Sequence, residues 1–140
     1  MIFTIFNYAT PNEFQSFYFN YTINNIKGCK SQMFANTSDA YDIYDRQKPD
    51  YSIINITRCD VEPLIHYNSK SKNPVKHLIS LDGLLDEHIP NAEKFINDRK
   101  EELQCKLVFG SSKKLSSQNF GVPYVHIPYC ADDNLVLSKK

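Results

Sequence analysis

Short apolar runs of strand length alternate with helix-like segments along the whole chain. The clearest runs span residues 1–8, 50–57, 75–81 and 105–109, and shorter ones span residues 30–36 and 124–127. The first is apolar at nearly every position, which is typical of a strand covered on both faces. Because strands that alternate with helices form βαβ units, we expect a single doubly wound, mostly parallel α/β sheet, Rossmann-like or flavodoxin-like, with five or six strands.

The segments between these runs have sequence patterns that are typical of helices. Helices are expected to end near Gly28, to span residues 38–48 and 60–69, and to begin at Ile89. The last is the clearest, because Ala92, Phe95 and Ile96 recur at helical spacing while the intervening positions are charged.

The length of 140 residues suits one domain, which we place at residues 1–132 with a tail at 133–140. Lys plus Arg and Asp plus Glu number 16 each, so the positive charge of a dedicated nucleic-acid binder is missing. The four glycines lie far apart, which excludes both the Walker loop and the dinucleotide-binding turn. We therefore predict no cofactor and no nucleic-acid partner.

No apolar run approaches the roughly 18 residues of a membrane span, so we expect no such span and a cytoplasmic protein. The four cysteines form no C-x-x-C pair, and free thiols are favoured over disulfides; they are Cys29, Cys59, Cys105 and Cys130. The histidines lack metal-ligand spacing, so no metal site is predicted. His77 and His126 fall inside predicted strands, where a hydrogen-bonded structural role is favoured over catalysis.

Ligands of doubly wound sheets bind beyond the carboxyl ends of the strands. Polar residues and glycines that follow the predicted strands are therefore the candidate ligand-binding residues. They are Asn7, Tyr8 and Thr10, then Thr57, Arg58 and Asp60, then Asp82 and Gly83, and finally Gly110, Ser111 and Ser112.

Several of these candidates have a plainer interpretation, whereas Tyr8, at the end of the first strand, could stack on a ligand. Arg58 could hold phosphate or carboxylate, but a surface salt bridge is favoured. Ser111 and Ser112 could present backbone amides to an anion, and capping of a helix by Ser112 explains the same residues equally well.

An aromatic stripe at helical spacing consists of Phe14, Phe17, Tyr18 and Tyr21. Its spacing favours a core or interface face over a platform for stacking sugars or bases. A second domain or a second copy of the chain is the partner that such a face would take.

The stretch from residue 105 onward resembles the amino-terminal, acceptor-side domain of two-domain GT-B-type glycosyltransferases. The resemblance lies in a strand ending at a Ser-bearing turn (107–112), in Gly121-Val122-Pro123 before a short strand, and in a Pro-x-x-x-Asp loop ending at Asp132. The phrase RQKPDYSIINIT (46–57) is similar to a helix-to-strand step of the same enzymes. The Tyr129-Cys130-Ala131 variant of the loop looks more like the spore-maturation-type branch.

The resemblance implies a domain that binds a sugar acceptor or part of a nucleotide sugar. Asp132 would precede the linker to a donor-binding domain that this sequence lacks, so group transfer would require a second domain or partner chain. Such chemistry asks for a general base near the strand ends, and Asp82 and Asp60 are the candidates. The plainer interpretations, a turn at Asp82-Gly83 and a helix cap at Asp60, are favoured.

The alternative function is a non-catalytic interaction or inhibitor module on a flavodoxin-like scaffold. Phosphorelay is disfavoured, because Asn7-Tyr8-Ala9 offers no acidic pair at the end of the first strand. A hydrolase that uses Ser111 or a cysteine is also disfavoured, because the sequence has no nucleophile elbow.

Overall fold

The computed structural model describes residues 1–6, 14–57 and 59–127, with the backbone alone at residues 14–17. Its strands are β1 (Ile2–Phe6), β2 (Lys30–Phe34), β3 (Tyr51–Asn55), β4 (Lys76–Ser80), β5 (Cys105–Gly110) and β6 (Tyr124–His126). Its α-helices are α1 (Phe14–Asn24), α2 (Ala40–Gln47), α3 (Glu62–Lys70) and α4 (Ile89–Arg99). The predicted alternation of strands and helices is confirmed.

The six strands form one parallel sheet in the order β2-β1-β3-β4-β5-β6. The first five follow the flavodoxin-like order, and β6 extends the sheet beyond β5. Strand order reverses at β1, which pairs with β2 on one side and with β3 on the other. The predicted doubly wound parallel sheet is therefore confirmed.

Helices cover both faces of the sheet, but unequally. On one face, α2, α3 and α4 bury Tyr44, Leu64 and Ile96 against the strands in the larger core. On the other face, α1 contributes Phe19 and Ile23 to a smaller cluster. In β1 the adjacent residues Ile5 and Phe6 belong to different clusters, so this strand is covered on both faces as its sequence predicts.

The rotation of α1 differs from the expectation for its aromatic stripe. Phe19, outside the stripe, packs edge-on against Phe109 with ring centroids 5.4 Å apart, and Ile23 is buried. Tyr21 is 67% exposed, so it is not a core residue. That Tyr21 takes part in an interface stays a prediction. The side chains of Phe14 and Phe17 lie outside the described atoms.

A buried polar chain lies within the larger core. The Tyr44 hydroxyl is 2.8 Å from the Ser52 hydroxyl and 2.9 Å from Nε2 of His77. Nδ1 of His77 lies 2.6 Å from the carbonyl oxygen of Leu103. Because a carbonyl only accepts, Nδ1 carries the proton and Nε2 is left to accept from Tyr44. This is the hydrogen-bonded structural histidine that the sequence predicts.

Candidate functional site

Polar side chains from three adjacent strands meet at the carboxyl edge of the sheet. We call them the carboxyl-edge cluster: Asn55, Thr57, Ser80, Asp82 and Ser111. Oδ1 of Asp82 accepts hydrogen bonds from the backbone N–H of Ser111 at 3.2 Å and from its hydroxyl at 3.1 Å. Oδ2 accepts from the Ser80 hydroxyl at 3.0 Å. The Asp82 carboxylate thus ties the end of β4 to the turn after β5.

The same residue is also joined to the end of β3. The Asn55 side chain donates to the backbone carbonyl of Asp82 at 2.9 Å. The Thr57 hydroxyl donates to the side-chain oxygen of Asn55 at 2.6 Å. Gly83, the next residue, has φ +84°, a conformation that favours glycine. Asp82 and Gly83 therefore form a turn, as the plainer interpretation of these residues predicts.

Asp60 lies at the start of α3 and accepts a hydrogen bond from the backbone N–H of Glu62 at 3.1 Å. The helix starts at Glu62, so this bond satisfies one of the amides left unpaired at a helix start. No hydrogen bond within residues 1–6, 14–57 and 59–127 joins Asp60 to the carboxyl-edge cluster. The N-cap residue itself is Val61, so Asp60 supports the start of α3 from one residue before the position that the capping interpretation gives it.

Gly110 ends β5 in a crowded position. A Cβ atom there would lie 3.2 Å from Cδ1 of Leu115 and 3.2 Å from the hydroxyl of Tyr124. Ser112 then caps a short 3₁₀ turn, Lys113–Ser117, by accepting from the backbone N–H of Lys114 at 3.3 Å. The predicted cap is confirmed. Because the Ser111 amide is already donated to Asp82, the anion-binding alternative has no support from the hydrogen bonds.

Two side chains of β6 contact Ser111 and Ser112, which we call the serine turn, through their backbone carbonyls. The Tyr124 hydroxyl donates to the Ser112 carbonyl at 2.9 Å. Nε2 of His126 lies 3.0 Å from the Ser111 carbonyl and so must donate to it. Burial, and secondly the charge of Asp82, raises the pKa of Tyr124, which keeps this donor protonated. Sequence reasoning missed Tyr124, Asn55 and Ser80, because each stands inside or at the end of a predicted strand.

Five of the sequence candidates lie outside the described residues: Asn7, Tyr8, Thr10, Arg58 and Asp132. Thr57, Asp82 and Ser111 are brought together in the carboxyl-edge cluster, with Gly110 and Ser112 beside it.

An apolar groove of about 500 Å³ opens beside the cluster, between the β3–α3 and β4–α4 connections. We call it the α4 groove. Ile56, Leu84 and Phe95 are half-buried in its walls and pack against the larger core, while Leu85 is 59% exposed. Thr57 belongs both to the groove and to the cluster. Sequence reasoning did not identify this groove. The signal that could have indicated it is the pair of leucines, Leu84 and Leu85, directly after the turn.

A larger cleft, of about 700 Å³, lies at the opposite, amino edge of the sheet. Its lining includes Lys48, Lys72 and Lys76 together with Asp45 and Asp50. Lys48 follows α2 and Lys72 follows α3, so both lie where a cation stabilises the last turn of a helix. Volume alone does not make this cleft the site, because ligands of such sheets bind at the carboxyl edge.

Two of the described thiols are poor nucleophiles. Cys29, Cys59 and Cys105 are free, as the sequence predicts, and Cys130 lies outside the described residues. Burial, and secondly the charge of Asp60, raises the pKa of Cys59 to about 12. Burial raises the pKa of Cys105 to about 11. Since the thiolate is the reactive form, neither residue supports a thiol-based hydrolase.

Within the described ranges, no group of three or more His, Cys, Asp or Glu side chains is arranged to hold a metal ion. In the same part of the chain, no helix has the length and apolarity needed to cross a membrane.

By its fold, the chain is a flavodoxin-like, parallel α/β protein. Its candidate site is the carboxyl-edge cluster at the strand ends. Comparison with protein-family models, curated proteins and solved structures found no match to this chain.

Proposed function

We propose that this chain is a glycosyltransferase-like, acceptor-side domain of the spore-maturation-like branch. It binds a sugar acceptor or a component of a nucleotide sugar at the carboxyl edge of its sheet. The observation that carries the proposal is the α4 groove, which opens beside a cluster of hydroxyl and carboxylate groups at that edge. The Gly-Val-Pro segment, which directly precedes β6, and the serine turn, which directly follows β5, also support it.

The side chains at this edge suit the binding of an acceptor better than they suit the complete transfer of a sugar. Oδ1 of Asp82 already accepts two hydrogen bonds, whereas Oδ2 accepts one, from Ser80. Oδ2 is therefore the oxygen with capacity for a bond from an acceptor hydroxyl. A second domain or partner chain would supply the donor sugar, and Asp82 would then be placed to remove the hydroxyl proton.

Isothermal titration with nucleoside diphosphates, nucleotide sugars and simple glycosides tests this proposal. We expect saturable binding of at least one of these compounds, and sugar transfer only after a second Rossmann-like domain is added. Thr57→Val is expected to weaken binding, while Asp98→Asn on α4, outside the cluster and the groove, serves as the control. No heat of binding with any of these compounds, together with no sugar transfer after the second domain is added, would contradict the proposal.

A second candidate function, a non-catalytic interaction or inhibitor module, is favoured by the 67% exposure of Tyr21 on α1. Size-exclusion chromatography with light scattering is expected to show self-association or capture of a partner domain, and Tyr21→Lys is expected to abolish it. A strictly monomeric chain that takes up no partner domain would contradict this candidate. For either function the proposed location is the cytoplasm, whose reducing conditions suit the free thiols.

A further inference from the structure

The α4 groove differs chemically from the rest of the carboxyl edge. Its walls are apolar side chains from two loops and one helix: Ile56, Leu84, Leu85 and Phe95. No Lys, Arg, Asp or Glu stands among the described residues that line it. A phosphate group placed against these described walls would lose its hydration without gaining a cation from them, so the apolar walls suit a nucleotide poorly.

A few polar groups stand at the edge of these apolar walls. The carboxamide of Asn91 has no hydrogen-bond partner among the described residues, so it can both donate and accept. The imidazole of His88 is 54% exposed and lies 3.6 Å from the Glu87 carboxylate. The Thr57 hydroxyl gives its hydrogen to Asn55 and keeps a lone pair for a ligand. Apolar walls with a few orienting polar groups are the usual composition of a small-molecule pocket.

The size of the groove also favours a small molecule. A volume of about 500 Å³ falls within the range of about 300–1,000 Å³ that is usual for such sites. Nine residues line the groove, whereas a stable protein interface engages about 20–30 residues on each side.

We infer that the α4 groove binds the apolar body of an uncharged hydroxyl compound, such as an aromatic or alicyclic alcohol or its glycoside. The inference rests on the proposed function in that it makes this compound the acceptor. The apolar ring lies against Leu85 and Phe95, its polar groups meet Asn91 and Thr57, and its hydroxyl is directed toward the carboxyl-edge cluster. The nucleotide then has no place in the groove and is left to the second domain.

Phenyl β-glucoside and methyl β-glucoside form a matched pair of probes, because they share the sugar and differ only in the apolar group. We expect the phenyl compound to bind at least about tenfold more tightly, as burial of one ring predicts. Calorimetry measures the ratio, and methyl NMR signals of Ile56, Leu84 and Leu85 are expected to shift. Uridine diphosphate is expected to leave these signals in place.

Leu85→Glu is the test variant, since Leu85 is 59% exposed and its replacement leaves the core intact. It is expected to remove the tenfold preference for the phenyl compound. Ile26→Glu is the matched control, because Ile26 is a similarly exposed aliphatic residue (51%) that does not line the groove. Asn91→Ala, also at an exposed position, is a second variant and is expected to weaken binding of both glucosides.

Equal affinity for the two glucosides, or unmoved methyl signals, would overturn the inference. If nucleotide sugars still bound elsewhere on the chain, the proposed function would stand without it. Conversely, binding of the phenyl compound in the groove, with no sugar transfer after a second domain is added, would support the inference and remove the proposed function. Concentration-dependent shifts of these methyl signals without any glucoside would assign the groove to a second copy of the chain and also overturn the inference.

Discussion

Acidification from pH 7 to pH 4 is expected to lower the free energy of unfolding by about 3 kcal/mol through His77 alone. Burial lowers the pKa of His77 to about 4, against the opposing effect of its backbone hydrogen bonds. The unfolded chain has the ordinary histidine pKa of about 6.5. Between these values the unfolded state binds a proton that the folded state does not. The contribution of neutral His77 to the free energy of unfolding is therefore fully present above about pH 6.5 and is lost as the pH falls toward 4.

Among the described residues, only backbone hydrogen bonds favour a charge on His77, and burial outweighs them. Nδ1 faces the Leu103 carbonyl, and Nε2 faces the Tyr44 hydroxyl, which is itself bonded to Ser52. A protonated ring would need Nε2 to donate to the Tyr44 oxygen, and the hydroxyl hydrogen would then be donated to Ser52 instead. No carboxylate contacts the ring among the described residues. The main cost of protonation is therefore the burial of the charged ring.

Urea unfolding at several pH values between 7 and 4 measures this effect. His77→Gln is expected to be less stable at pH 7 but to show a flatter loss of stability on acidification. His66→Gln, at an exposed position of α3, is the control and is expected to keep the slope of the unchanged chain. Equal slopes in all three proteins would show that His77 does not govern the acid response.

The sheet could be predicted from the sequence because its signals are local. The apolar run of β1 already indicates cover on both faces, and Ile5 and Phe6 do lie in different clusters. The cap at Ser112 depends on one side chain and the amide two residues later. Local patterns of this kind need no knowledge of how distant segments pack.

The orientation of α1 could not be predicted, because its aromatic residues lie on several sides of the helix. Phe17, Tyr18, Phe19 and Tyr21 allow more than one helical stripe. Contact with Phe109, ninety residues further along the chain, selects Phe19 as the buried residue and leaves Tyr21 exposed. A helix that is apolar on several sides takes its rotation from its partners.

The carboxyl-edge cluster was predicted only in part for the same reason. The strand-end rule identified Thr57, Asp82 and Ser111. It missed Asn55 and Ser80, which end β3 and β4 and lie opposite each other in the sheet register. Asp82 and Ser111 are 29 residues apart, and their bond depends on β4 and β5 being neighbours, which the sequence does not state.

Replacement of Asp82 by Ala is expected to lower the free energy of unfolding by about 2–3 kcal/mol. The carboxylate accepts bonds from the Ser80 hydroxyl and from both the amide and the hydroxyl of Ser111. Hydrogen bonds to a charged group are worth about 1.5–3 kcal/mol each, and water reaching this half-buried site offsets part of that loss. Asp60→Ala, which removes one exposed hydrogen bond to the first amide of α3, is expected to cost about 1 kcal/mol. Urea unfolding at pH 7 compares the two variants, and equal costs would contradict the structural role of Asp82.

Asp82→Asn separates the structural role of this residue from the proposed chemical one. An amide oxygen at the Oδ1 position can still accept from Ser111, so most of the stability lost in Asp82→Ala is expected to return. An amide cannot take a proton from an acceptor hydroxyl, so sugar transfer in the presence of a second domain is expected to fall by about 10²–10⁴-fold. A stable Asn variant with full transfer would show that Asp82 holds the turn after β5 and takes no proton. In that case the hydroxyl proton must be removed by a residue outside the carboxyl-edge cluster.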